Sequence, residues 1–124
     1  EVPVVTQSLL KKDYCVAICI GCVIRGGTPH FDYICTEVTR ALMEVSLKYH
    51  KPAIFGILTT NTWNEAAHRS GLQPLQALPD KDQMKTPSHN KGKEFANAAI
   101  EMYHTIKEIE KEPIENEQSK NPSS

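Results

Sequence analysis

The chain has 124 residues, 40% of them hydrophobic and 23% charged, with a formal net charge of -1. That length suits one domain with one core. The near-neutral balance leaves no basic footprint for nucleic acid, and no run of about 18 apolar residues offers a membrane-spanning helix.

The chain opens on Glu1 rather than Met, and no signal-like segment follows. The expectation is that something preceded Glu1 and was removed, or that this is a piece of a longer chain. Val4 to Leu10 reads as the front of a helix ending near the Lys11-Lys12-Asp13 turn. Tyr14 to Ile20, apolar from Cys15 onward, has no charge, as in a parallel strand covered on both faces. The four cysteines are Cys15, Cys19, Cys22 and Cys35. Cys19-x-x-Cys22 invites a metal or redox reading. On an extended strand those two face opposite sides, and no second ligand pair has zinc spacing. They read instead as small buried thiols of an intracellular protein.

Gly21-Cys22-Val23-Ile24-Arg25-Gly26-Gly27-Thr28-Pro29-His30 then links the strand to a long amphipathic pattern. Thr28 is a good helix N-cap and Pro29 a good first helical residue. A strand, a Gly-Gly turn and a helix start point backbone N–H groups at an anion. Gly26, Gly27 and Thr28 are therefore candidates to hold phosphate, with an ordinary capped helix start as the alternative. His30, in the first turn, is a candidate acid/base group, and a phosphate held beside it favours its protonated form. A merely structural or exposed histidine is the alternative. Arg25 reads as a lone charge, either solvated or a subunit contact.

From Phe31 to Tyr49, Ile34, Val38, Ala41, Leu42 and Val45 recur at helical spacing. Each large member of that face contributes roughly 1.5–3 kcal/mol on burial. Lys51-Pro52 ends the helix, and Ala53 to Leu58 is a second uncharged strand in which Phe55 reads as core. Thr62 with Glu65 fits a capping box. It predicts a short helix from about Trp63 to Ser70 that stops at Gly71, with Arg69 electrostatically well placed in its last turn. Leu72 to His89 reads as a long loop, with Lys81 and Lys85 interleaved with acids and no aromatics to stack on bases; loops of this length are functional or disordered. Asn90 caps a last helix with a core stripe of Phe95, Ala98, Ala99, Met102, Ile106 and Ile109. Lys91 and Lys93 occupy its first turn, the wrong end for cations, at a cost of roughly a few tenths of a kcal/mol. That placement suggests an anion nearby. The reading is one domain over 1–111 and a polar, disordered tail over 112–124.

Strands alternating with helices make an α/β protein with a parallel sheet. Two strands cannot build a stable sheet by themselves, so the missing ones are expected before Glu1 or from another chain.

Ile20-Gly-Cys-Val-Ile-Arg-Gly-Gly-Thr-Pro-His-Phe-Asp-Tyr33 closely resembles the signature of the lumazine synthase family. Phe55-Gly-Ile-Leu-Thr-Thr60, Glu65-Ala-Ala-His-Arg-Ser-Gly71 and Asn90-Lys-Gly-Lys-Glu94 continue the match in order, covering Glu1 to about Glu110. The resemblance implies a flavodoxin-like three-layer α/β/α sandwich whose N-terminal strands are missing here, and assembly into pentamers or shells of pentamers. It implies condensation of 5-amino-6-(D-ribitylamino)uracil with 3,4-dihydroxy-2-butanone 4-phosphate, without metal or organic cofactor, in the cytoplasm or, in plants, the plastid. On this chain His30 matches the proton-transfer histidine, and Gly27 and Thr28 the phosphate-holding positions. Cys22, Val23 and Ile24 match the strand end against the pyrimidine and ribityl groups, and Glu1 an acidic residue binding the same substrate. Phe55 and Arg69 match groups that reach a neighbouring subunit's site, and Lys91 and Glu94 a charged pair near that junction. Relatives carry a further segment before the point matching Glu1. It supplies two strands, a helix and an aromatic that stacks on the pyrimidine, so the 124 residues alone are expected to be inactive or weakly folded. A non-catalytic assembly subunit of the same fold is the alternative. The related archaeal-type riboflavin synthase fits the Arg25–His30 signature less well.

Overall fold

The computed structural model describes residues 1–72 and 90–113. All but the first residue of the expected loop over Leu72–His89 and most of the expected tail over 112–124 (114–124) lie outside the described residues. Helix α1 (Val2–Leu10) begins two residues before the expected Val4, because Pro3 falls at its first positions, where a missing N–H costs nothing. Strand β1 (Ala17–Ile24) leads through a turn to helix α2 (His30–Tyr49). Strand β2 (Ala53–Thr60), helix α3 (Trp63–Ser70) and helix α4 (Lys91–Lys111) follow.

The strands pair in parallel from Ala17 opposite Ala53 to Ile24 opposite Thr60. The Ala17 N–H donates to Pro52 O (3.0 Å) and the Arg25 N–H to Thr60 O (2.9 Å), extending the ladder at both ends. The expected strand was therefore displaced. Tyr14 to Val16 lie outside it, while Gly21 to Ile24 belong to it rather than to the following turn, held by pairing along the whole of β2. Gly21 packs there against Ile57.

α1 packs on α2 and α3 on α4, one pair on each side of the sheet. Cys19, Leu42 and Ile57 centre the core on the first side, with Val23, Val38, Ala53 and Phe55 around them. On the other side Phe95 of α4 lies against Gly56, where an added Cβ would sit 2.8 Å from Cys19 O and 3.1 Å from the Phe95 ring. The glycine is what lets that helix approach. β1 is not covered on both faces as expected: Ile18 and Ile20 stay exposed, since α3 and α4 lie mainly over β2. Nor are the cysteines uniformly buried. Cys19 is, with its sulfur 3.2 Å from Thr6 Oγ1, whereas Cys15 and Cys22 are exposed and Cys35 is half-buried.

α2 ends where His50 turns left-handed at φ 50°, with Lys51, restricted by Pro52, donating its N–H to Ser46 O at 3.3 Å. Ser46 Oγ donates to Lys51 O (2.8 Å) and accepts from the Ala53 N–H (3.3 Å), tying the helix end to the start of β2. The expected box at α3 forms in part: the Glu65 N–H donates to the N-cap Thr62 Oγ1 (3.2 Å), but the Glu65 carboxylate accepts from the N–H of Asn61 (2.8 Å), one residue before the cap, rather than from that of Thr62. Gly71 closes α3 at φ 78°, and the Asn90 side-chain oxygen caps α4 by accepting from the Gly92 N–H at 2.9 Å.

Candidate active site at the carboxyl end of the sheet

β1 runs straight into the turn Arg25–Pro29, and every residue from Arg25 to His30 is exposed. Thr28 does not cap α2. The N-cap position is Pro29, at φ -65° and ψ -4°, and no side chain caps the helix. Proline's fixed φ already suits the helix, so the start moves one residue on and His30 becomes its first residue. Neither Gly26 nor Gly27 has a left-handed φ, and a Cβ on either would meet nothing within 4 Å. Packing and conformation thus leave both glycines unexplained. The remaining physical reason for a glycine is close approach of something to the backbone. An uncapped helix start, an uncommitted Thr28 hydroxyl and open space over two glycines suit an anion. The His30 imidazole stands exposed beside them on the first helical residue.

Next to this turn, Glu1, Cys22 and Val23 line one cavity of about 420 Å³ with Ile34 and Val38 of α2, within the range of small-molecule sites. Ile24, half-buried at the last position of β1, joins cavity and turn through the backbone.

The other candidates lie elsewhere in the subunit. Phe55 sits opposite Cys19, five residues before the end of β2, hence roughly 16 Å along the strand from the turn. It is partly buried against the Cys19–Leu42–Ile57 core. Arg69 is exposed in the last turn of α3, which runs away from the strand ends for about 12 Å. There the Asn90 side chain lies 3.1 Å from the Cβ position of Gly71, so the end of α3 meets the start of α4. Lys91 and Glu94 form an ion pair (2.7 Å), which offsets the unfavourable placement of a lysine in the first turn. The structure therefore gathers most of the candidates into two groups, Glu1 to His30 at one end and Arg69 to Glu94 at another, and leaves Phe55 apart from both, against the core.

The sequence reading missed Arg25. Rather than a lone charge, it forms a bidentate pair with Asp32 (3.1 and 3.0 Å) and its Nε donates to Asn61 Oδ1 (2.9 Å). Its guanidinium lies 4.3 Å from the Phe31 ring centre. The available signal was the strand register: once Ile24 faces Thr60, Arg25 and Asn61 are necessarily neighbours. Among the described residues no group of three or more His, Cys, Asp or Glu is placed to hold a metal, and no helix is long and apolar enough to cross a membrane.

A parallel sheet between two helical layers, with its ligand-facing turn at the carboxyl ends of the strands, defines an α/β protein of the flavodoxin-like kind. The family model for 6,7-dimethyl-8-ribityllumazine synthase matches residues 1–107, and the chain belongs to that family. Membership connects it with riboflavin biosynthesis, small-molecule substrates and oligomeric assembly in general terms.

Proposed function

We propose that this protein condenses 5-amino-6-(D-ribitylamino)uracil with 3,4-dihydroxy-2-butanone 4-phosphate, giving 6,7-dimethyl-8-ribityllumazine and inorganic phosphate. The observation that carries the reading is the Gly26-Gly27-Thr28 turn, open above both glycines and followed at once by His30. The phosphate rests on the Gly27 and Thr28 amides and the Thr28 hydroxyl. Cys22, Val23, Ile24 and Glu1 receive the pyrimidine and its ribityl chain in the adjoining cavity. The amine attacks the ketone and water leaves to give an imine. Loss of a proton and of phosphate follows, and ring closure with a second loss of water completes the product. His30 takes up and returns the protons, and much of the acceleration comes from holding two reactants in register.

The separation of Phe55, Arg69, Lys91 and Glu94 from the turn supports a site completed by a neighbouring copy. In that reading Arg69 of one subunit meets the phosphate bound by another, in a pentamer or a shell of pentamers. The test is lumazine formation, followed optically together with phosphate release, for the wild type and His30→Ala, both with the family's segment before the point matching Glu1 in place. The variant is expected to lose roughly a hundredfold to ten-thousandfold in kcat. Equal rates in both would leave His30 without a catalytic role, and no product from the wild type would favour a non-catalytic assembly subunit.

A further inference from the structure

We infer that Arg25 is a positioning residue, a clamp that holds the Gly26–Pro29 turn and His30 in the geometry that receives phosphate. The inference rests on the functional reading above. Arg25 and Asp32 bracket the whole turn, one at the end of β1 and the other in the first turn of α2. The guanidinium joins them through both Asp32 oxygens, at 3.1 and 3.0 Å, and its third donor fixes Asn61 at the exit of β2 at 2.9 Å. One planar group thus ties together the two strand ends and the helix start.

Two consequences bear on chemistry. First, Asp32 sits two residues after His30, close to where a phosphate would rest, and a bare carboxylate there would repel it. The fork engages both oxygens, so the carboxylate's charge is compensated and the group is withheld from the imidazole. Second, the pair contributes little to stability, because both side chains are substantially exposed, at 43% and 58%. A three-cornered arrangement stacked on Phe31 at 4.3 Å is therefore better explained by the order it imposes on the turn than by the fold. A lysine cannot replace it, since an ammonium cannot present a planar fork.

The experiment measures kcat and KM for each substrate separately, with melting temperatures, for Arg25→Lys, Arg25→Gln, Asp32→Asn and Arg25→Gln/Asp32→Asn in the native protein. With the phosphate-bearing substrate varied, kcat/KM is expected to fall roughly tenfold to a hundredfold in each variant. The KM for the amine and the melting temperature should stay at wild-type values. Lysine should do no better than glutamine, and the double variant should be no worse than Arg25→Gln alone. Wild-type kinetics in Arg25→Lys, or additive losses in the double variant, would overturn the inference. So would a fall in rate that tracks a fall in melting temperature. A wild type that makes no lumazine would sink the functional reading instead. The clamp is then read from inorganic phosphate titrated against the Gly26–Thr28 amide signals: weaker binding in Arg25→Lys sustains it and equal binding refutes it.

Discussion

At the scale of single residues, Lys51 shows how a side chain distant in sequence finishes a helix. Its ammonium donates to Leu10 O (2.9 Å) and Lys12 O (2.6 Å), carbonyls left over where α1 ends. Lys51→Met keeps the aliphatic stem and removes the donor, so it should lower stability by about 1 kcal/mol, read as a lower urea midpoint. The cysteines make a second residue-level case. Burial pushes the Cys35 thiol up, with Asp32 reinforcing the shift and Arg25 opposing it. A raised value means less thiolate at a given pH, so Cys35 should be alkylated more slowly than exposed Cys22 near pH 8. Cys19 should react only on unfolding. Arg25→Gln removes the opposing charge and should slow Cys35 further, which mass spectrometry of partly alkylated protein would reveal.

At the scale of elements, the helices were largely legible in the sequence because their start and stop signals are local. Thr62 with Glu65, the left-handed Gly71 and the Asn90 cap each act within a few residues and appear where their chemistry predicts. The start of α2 was not legible, because Thr28 and Pro29 both suit helix starts and only the backbone decides between them. The limits of β1 were hidden for another reason. A strand ends where its partner stops pairing, and Tyr14 to Val16 have no β2 residue opposite them. The Arg25 clamp depends on that same register, so composition alone could not show it. The cavity beside Cys22 needed α1, β1 and α2 in place together. Gly56 also belongs here: its role is to admit a helix, and nothing in the strand pattern requires it. Gly56→Ala would push a methyl against Cys19 O and the Phe95 ring, and should cost about 1–3 kcal/mol in thermal or urea unfolding.

At the scale of the whole molecule, the interior formed by the described residues is slight. Leu10 and Leu42 are the largest fully buried side chains among the described residues, while Ile20, Leu47 and Met43 are 73%, 66% and 60% exposed. Apolar groups so placed suit surfaces that further polypeptide covers, in keeping with a family that assembles. Stability should then rise with concentration, because association draws on the folded form alone; a melting temperature independent of dilution would contradict this. The proposed sharing of sites between copies predicts complementation as well. His30→Ala and Arg69→Ala subunits, each expected to be strongly impaired alone, should regain about a quarter of wild-type activity when co-assembled at random in equal amounts, since about one interface in four then pairs an intact half of each kind. No recovery would mean that each subunit works by itself. The contact between Gly71 and Asn90 has a consequence of another kind. The two helix ends are already side by side, so whatever joins them closes without moving either, and for a flexible connection each doubling of length costs only about 0.6 kcal/mol in closure entropy. Lengthening the chain between Gly71 and Asn90 should therefore leave the urea midpoint close to the wild-type value.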